Sequence, residues 1–375
     1  MRITNVESVS VRMPRTEADE ALREKYQYVP KFFDAGLLRV STDEGITGYG
    51  FSWLDPGYVE RSLKPALLGR DPLSIEQLLE ERVLPAVAEH ALWDIAGKAA
   101  RQPVYKLLGG HKDKVRAYVT CVWAGKPDQT SVTPEQQAKD AVHYLENGFK
   151  GIKIRSWRPK PEQDLDAAKA VRDAVGDEMS IMVDRTAHHP GWVWDHHTAL
   201  KMARGYEKYD VAWLEEPLDR NDLDGLAELS RAVDIPITGG EAEHGIYRFK
   251  EILEKRSLDI VQPDAYTSGG ILTVKKIASI AEAFGKPCIL HGSNGFGLAA
   301  PLQAIGALPN CPWLEVAIVS PPFLPWEQWE PLTPLLKGGP LFNVEDGYVK
   351  LPDRPGLGVD LDEEALKRYA PSLRS

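Results

Sequence analysis

From Val115 onward, short runs of β-branched and other apolar residues alternate with longer stretches whose apolar positions return every three or four residues. Val115–Val122 is followed by Glu135–Asn147, Gly151–Arg155 by Glu162–Val175, Ser180–Asp184 by His196–Glu207, and Val211–Glu215 by Leu223–Ala232. Ile235–Thr238 then pairs with Ile246–Glu254, Leu258–Val261 with Ile271–Phe284, and Pro287–Leu290 with Leu298–Leu308, before a last strand-like run at Trp313–Ile318. The first kind of run reads as strand and the second as amphipathic helix. Strand–helix alternation with short connections predicts parallel strands joined by right-handed crossovers. About eight such units fit an α/β barrel of the (β/α)8 type. An open doubly wound sheet is the alternative, but no Gly-x-Gly-x-x-Gly follows any of the strands.

The chain before Val115 has a different rhythm. Arg2–Arg12 alternates as a strand does, and Leu37–Val40 with Gly45–Gly50 reads as a hairpin around Asp43-Glu44-Gly45. Between them Arg15–Lys31 is polar and charged around Tyr26 and Tyr28, a surface loop or short helix with a substrate lid as the alternative. Tyr58–Leu107 reads as helical, with an amphipathic run through Ala88, Ala91, Leu92, Ile95 and Ala99, and Gly109-Gly110 ends it. At the other end, Gly347–Leu351 reads as strand and Glu363–Tyr369 as helix, in a tail that returns to pack on the first domain. The expected division is an N-terminal α+β domain over 1–114, a barrel over 115–325 and a C-terminal segment over 326–375.

Composition narrows the function classes. The 375 residues and 43% hydrophobic content allow a sizeable core in more than one domain. A net charge of −10 argues against nucleic acid and anionic membranes as partners. It does not argue against a small anionic substrate, because a bound divalent cation reverses the local field. Cys121, Cys288 and Cys311 are odd in number and lack metal-ligand spacing, so they read as buried thiols in a reducing compartment. No apolar leader and no run of transmembrane length is visible, which points to the cytoplasm.

Active sites of such barrels lie at the C-terminal ends of the strands. Reading only those ends gives Lys153 and Arg155, then Asp184, Glu215, Glu241, Asp264, His291 and Glu315. Each has a plain alternative alone, as a rim charge or a structural histidine. In Val211-Ala212-Trp213-Leu214-Glu215-Glu216-Pro217 only one of the two acids can aim along a given side of the strand. Asp184, Glu215 and Glu241, three acids at consecutive strand ends, outline a hard-cation site suited to Mg2+. A cation held there can chelate a substrate carboxylate and stabilise the enediolate formed when the α-proton leaves. Asp264 can fix the tautomer of His291 and raise its basicity, making His291 a general base. Glu315 faces the same mouth, where a protonated carboxyl could donate to the developing oxyanion.

The sequence resembles the enolase superfamily, and within it the mandelate racemase-like subgroup (mandelate racemase/muconate lactonizing enzyme family). The resemblance spans essentially the whole chain. It is carried by Ala91-Leu92-Trp93-Asp94-Ile95-Ala96-Gly97-Lys98, Leu107-Leu108-Gly109-Gly110, Trp213-Leu214-Glu215-Glu216-Pro217, Gly240-Glu241, Gln262-Pro263-Asp264 and Gly269-Gly270. It implies a capping α+β domain on a modified (β/α)7β barrel, a single Mg2+, removal of a proton α to a carboxylate, and a homo-oligomer. It also implies that Glu215 is the metal ligand and that Glu216 has a supporting role.

Two departures from the subgroup's pattern bear on the reaction. Where Lys-x-Lys is usual, this chain has Lys153-Ile154-Arg155. A guanidinium stays protonated, so Arg155 is a poor base and a good carboxylate clamp. With only the His291 face equipped, a two-base racemase is disfavoured and a one-base elimination favoured, with Lys153 pairing to the substrate carboxylate. After Asp184 come Arg185, Thr186 and, later, His188 and His189; Thr186 stands where some sugar-acid dehydratases carry a histidine, and His188 is a candidate hydroxyl ligand. Trp192 and Trp194 line a sugar face or fill space. The expected activity is a Mg2+-dependent sugar-acid dehydratase giving a 2-keto-3-deoxy acid. A cycloisomerase that opens a lactone or anhydro ring by β-elimination comes next, then a racemase or epimerase. A catalytically silent binding protein for metal or sugar acid is the non-enzyme alternative.

Overall fold

The computed structural model describes residues 1–14, 32–121, 132–186, 193–318, 323–338 and 342–373. Near the N-terminus, β1 (Ile3–Pro14) pairs antiparallel with β2 (Phe32–Thr42), and β2 with β3 (Thr47–Gly50). One face of this sheet buries Val6, Leu38 and Val40 against Ala88, Ala91, Leu92 and Ile95 of helix α1 (Ala86–Ala100). A Cβ at Gly48 would stand 2.1 Å from the Ala91 carbonyl oxygen, and one at Gly50 2.0 Å from that of Val87. The helix backbone thus rests directly on β3, which is why this strand reads Thr-Gly-Tyr-Gly.

The single helical stretch expected over Tyr58–Leu107 is instead broken. Short helical turns at Pro56–Tyr58, Val59–Leu63, Lys64–Leu67, Ile75–Glu80 and Val104–Leu107 flank α1. Pro72, Pro85 and Pro103 interrupt the helical ladder between them, since proline lacks the N–H that continues it.

Eight parallel segments close the barrel. β4 (Lys114–Cys121), β5 (Gly151–Arg155), β6 (Ser180–Asp184), β7 (Val211–Glu215), β8 (Ile237–Gly239) and β9 (Ile260–Val261) neighbour one another in that order. Cys288 then bridges Val261, Ser293 bridges Val316, and β10 (Trp313–Ile318) pairs with β4. Helices α2 (Pro134–Glu146), α3 (Glu162–Val175), α4 (His196–Glu207), α5 (Leu223–Ala232), α6 (Gly245–Lys255), α7 (Ile271–Ala283) and α8 (Ala299–Ile305) connect the segments. The strand expected at Pro287–Leu290 survives only as the bridge at Cys288. Pro287 has no N–H to give a ladder, and farther on the Gly292 N–H donates to the Glu315 carboxylate at 2.9 Å instead of to a neighbouring carbonyl.

Strand parity sorts the barrel residues. Ile152, Ile154, Ile181, Val183, Leu214 and Ile237 face the surrounding helices. Tyr118, Met182, Trp213, Ile260 and Ile289 point inward and fill the lower barrel as one apolar cluster, with Tyr118 edge-on to Trp213 at 5.4 Å. Gly151 leaves room for this plug, because a Cβ there would lie 2.7 Å from that of Tyr118. Two residues along the same inward faces come Thr120, Lys153, Asp184, Glu215, Gln262 and Glu315. The charged layer thus sits directly on an apolar floor.

The C-terminal segment touches both parts. β11 (Val344–Glu345) and β12 (Tyr348–Lys350) form a hairpin that extends the barrel sheet at the start of β4, and α9 (Glu363–Tyr369) packs near β1. Glu363 accepts from the Tyr49 hydroxyl. Asp94 ties the pieces together: its buried carboxylate accepts from Tyr49 N (3.0 Å), Lys98 Nζ (2.6 Å) and Leu357 N (2.8 Å). Asp94→Ala therefore leaves two backbone donors dry and is expected to cost about 2–4 kcal/mol, read as a lower urea midpoint by circular dichroism. An unchanged midpoint would refute this account of the clasp.

Candidate active site

Arg155, Asp184 and Glu215 end β5, β6 and β7 in direct register, so the three side chains rise side by side from the barrel floor. Lys153 Nζ, fully buried, lies 2.9 and 2.8 Å from the two Glu215 oxygens, 2.8 Å from Glu315 Oε1 and 3.8 Å from Asp184 Oδ2. Arg155 donates from Nη1 to Asp184 Oδ2 and, at 2.6 Å, to Thr186 Oγ1. Thr186, at a positive φ of 53°, turns back so that its own N–H and hydroxyl donate to Asp184 Oδ1 at 2.7 and 2.8 Å.

On the far side, Glu241 follows Gly240, whose φ of 113° swings the chain inward after β8. Glu241 Oε2 lies 3.1 Å from His291 Nε2. The other ring nitrogen, Nδ1, lies 2.7 Å from Asp264 Oδ2. Glu216 takes a φ of 46° and sends its side chain the other way, against Gly239.

Electrostatics explain the pairing. Burial works against the Lys153 charge, but Glu215, Glu315 and Asp184 outweigh it and keep the ammonium protonated. Burial lifts Glu215 to about 8 despite Lys153, with Asp184, Glu315 and Glu241 adding to the rise. Burial would also lift Glu315, yet Lys153 and His291 hold it well below the usual carboxylate range. His291 is opposed by burial but raised to about 10, first by Glu241 and then by its bond to Asp264. Five carboxylates (Asp184, Glu215, Glu241, Asp264 and Glu315) thus face three basic groups (Lys153, Arg155 and His291). The all-oxygen donor set of Asp184, Glu215 and Glu241 would suit a hard divalent cation, whose charge would favour the ionised forms of Glu215 and Glu241 that burial opposes. Among the described residues no three acidic, histidine or cysteine side chains stand together as a ready-made cage. Each of the three acids is drawn instead to a basic neighbour.

One expectation needs revising: Glu315 is held ionised, since Thr120, Lys153 and the Gly292 N–H all donate to it. Lys153 is buried among Glu215, Glu315 and Asp184, and Arg155 donates to Asp184 and Thr186. Their cationic charge neutralises the acids of the site. Trp194 is buried under the Arg185 guanidinium at 4.9 Å and fills space. His188, His189, Trp192 and the Arg15–Lys31 segment lie outside the described residues.

Sequence reasoning passed over Gln262, which accepts from Thr238 Oγ1 at 2.6 Å and donates to Glu215 Oε2 at 3.0 Å. Its place two residues before Asp264, on the same face, was the available signal. Thr120 carries no charge and gave none.

The chain is similar to known proteins along nearly its whole length. Residues 34–109 match the mandelate racemase / muconate lactonizing enzyme N-terminal domain, and residues 136–365 match the family described as enolase C-terminal domain-like. An arabinonate dehydratase from Saccharolobus solfataricus is 33% identical over 353 residues, 88% of this chain and 89% of that protein. A 3,6-anhydro-alpha-L-galactonate cycloisomerase from Streptomyces coelicolor is 30% identical, covering 90% of this chain and 92% of that one. The crystal structure of D-glucarate dehydratase from Agrobacterium tumefaciens complexed with magnesium superposes with a TM-score of 0.82 at 30% identity, over 99% of both chains.

If Lys153 is the counterion of this buried layer, Lys153→Met strands two carboxylates in a dry interior. The expected cost is about 3–5 kcal/mol, read as a fall in the thermal midpoint in metal-free buffer. A midpoint equal to that of the unaltered protein would count against the charge assignment.

Proposed function

As this chain belongs to the mandelate racemase/muconate lactonizing enzyme family of the enolase superfamily, we propose that it is a magnesium-dependent sugar-acid dehydratase that releases a 2-keto-3-deoxy acid. One observation carries the reading: the histidine of the site is held by Asp264, as a general base would be, while Arg155, two residues past Lys153, is a permanent cation bound to Asp184.

Asp184, Glu215 and Glu241 would hold the magnesium ion. When bound, it supplies the positive charge that offsets charge developing on a substrate carboxylate. The remaining steps belong to the chain. Asp264 accepts the Nδ1–H of His291, which leaves Nε2 to take the α-proton. Engagement of Glu241 elsewhere frees Nε2 from the carboxylate that now raises its pKa. The protonated ring then returns its proton to the β-hydroxyl on the same face. The C–O bond breaks, water leaves, and the enol product tautomerises to the 2-keto acid. Lys153 and Arg155 keep the acids in place between them, while Glu315 anchors the Gly292 N–H next to His291.

A cycloisomerase is the second reading, favoured by the Streptomyces relative; it uses the same α-proton step but expels a ring oxygen. A racemase would need a second base besides His291, and the place where the family pattern puts one holds Arg155, a permanent cation; a silent binding protein would not need the Asp264–His291 pair. The proposed working division is a capping domain over 1–114, a barrel over 115–325 and a returning segment over 326–375. We also assign the protein to the cytoplasm as a homo-oligomer. Three buried free cysteines support the first, and exposed Trp53 and Tyr247 support the second. Among the described residues no helix is long and apolar enough to cross a membrane.

His291→Asn should lower kcat by about 10²–10⁴-fold in a sugar-acid screen for the 2-keto product, with a native circular dichroism spectrum. Turnover near that of the unaltered protein would sink His291 as the base, and a product of unchanged mass would replace dehydration by cycloisomerisation. Chelation should abolish turnover. At about 100 times its Kd, added Mg2+ should stabilise the fold by about 2.7 kcal/mol, and Asp184→Asn should erase most of that gain. No Mg2+-dependent shift in the melting curve would refute the cation site.

A further inference from the structure

The turn from Gln262 to Gly270 carries Asp264 and is held from outside by the N-terminal domain. His90 and Glu89, neighbours on α1, are fully buried against it. His90 Nε2 lies 3.0 Å from the Ala265 carbonyl oxygen. A carbonyl can only accept, so Nε2 carries the proton and Nδ1 is bare. Burial depresses this histidine to about 4, which keeps the ring neutral in that tautomer. The ring also stands edge-on to Tyr266 at 4.7 Å. The Tyr266 hydroxyl in turn donates to Phe51 O (3.2 Å) in the N-terminal domain and Gly297 O (2.9 Å), just beyond His291.

Glu89 fastens the end of the same turn. Its carboxylate accepts from Ile271 N and Leu272 N, both at 2.9 Å, and from Trp93 Nε1 at 2.8 Å, capping the start of α7. A Cβ at Gly270 would lie 2.7 Å from the Glu89 carboxyl, so the close approach requires the glycine.

Within the turn the Tyr266 and Thr267 N–H groups donate to Asp264 Oδ1 at 2.6 and 2.7 Å, and Asp264 N donates to Ser268 Oγ at 3.1 Å. This leaves Asp264 Oδ2 directed at His291 Nδ1, 2.7 Å away. The Ala265 carbonyl that His90 grips belongs to the peptide whose N–H is the Tyr266 donor. If that peptide rotates, the donor to Oδ1 rotates with it.

We propose that His90 is a positioning residue for proton transfer: with Glu89 it lets the N-terminal domain set the geometry of the Asp264–His291 pair through the Ala265 peptide. The inference rests on His291 being the base. Neither His90 nor Glu89 touches Asp264 or His291 by any hydrogen bond described above, so their action is indirect.

The test uses the full-length protein with 15N-labelled histidine. A hydrogen-bonded Nδ1–H proton resonates far downfield, and His291→Asn identifies the His291 signal by removing it. His90→Leu deletes the donor; His90→Gln keeps an N–H able to reach the Ala265 carbonyl. In His90→Leu the signal should shift or vanish, and kcat should fall on the order of 10–100-fold with KM changed less than about 3-fold. In His90→Gln the signal and most of kcat should return. An unchanged signal in folded His90→Leu overturns the inference while leaving the pair in place. Should His90→Leu not fold, Glu89→Gln, which gives up one of the two carboxylate acceptors for Ile271 N and Leu272 N, is read the same way: a shifted signal supports the inference and an unchanged one overturns it. A downfield signal that survives His291→Asn overturns the Asp264–His291 pairing, and this inference with it.

Discussion

A buried lysine surrounded by acids is the constraint on which the rest of the site depends. Lys153 has no exposed surface and sits within 3.8 Å of Asp184, Glu215 and Glu315. An ammonium in such a place is tolerable only because several carboxylates surround it. The carboxylates in turn are tolerable only because the ammonium is there. The carboxyl groups of the site still outnumber its basic groups, and the proposed divalent cation would supply the positive charge that keeps them ionised.

The apolar floor makes this layer possible. Tyr118, Met182, Trp213, Ile260 and Ile289 fill the lower barrel, so charged groups two residues farther along the strands have no water beneath them. Low local dielectric strengthens each pairing and also makes every unpaired group costly. Gln262 and Thr120, neither charged, are drawn into the same network to satisfy oxygens that the cations leave over.

The proposed proton-transfer pair is built differently. His291 and Asp264 lie at the rim of the barrel, on segments with little ladder of their own, and their geometry is taken from neighbours. The Glu315 carboxylate holds Gly292, the 264–268 turn holds Asp264, and His90 and Tyr266 link that turn to the N-terminal domain. A layer stabilised by charge on the barrel axis thus adjoins a pair oriented by hydrogen bonds from outside the barrel.

How much of this could be read from the sequence follows from the range of each interaction. Strand parity and helical period are local, so Ser180–Asp184, His196–Glu207, Val211–Glu215, Trp313–Ile318 and Glu363–Tyr369 could be placed to the residue. The series of polar strand ends was legible for the same reason. Pro287–Leu290 reads as a full strand in sequence, but it keeps only a few backbone bonds, to Val261 and Asn310, and those depend on where distant segments lie. The proton expected on Glu315 was misjudged for a related reason. A side chain's protonation and partners are fixed by which charges lie across the barrel, and only closure brings them together. By itself, then, the sequence determined the barrel alternation, the inward face of each strand and the residue types available to the site. Tertiary structure alone decided which acid each cation neutralises and how the N-terminal domain reaches the Asp264 turn, because those are contacts between segments that no local periodicity relates.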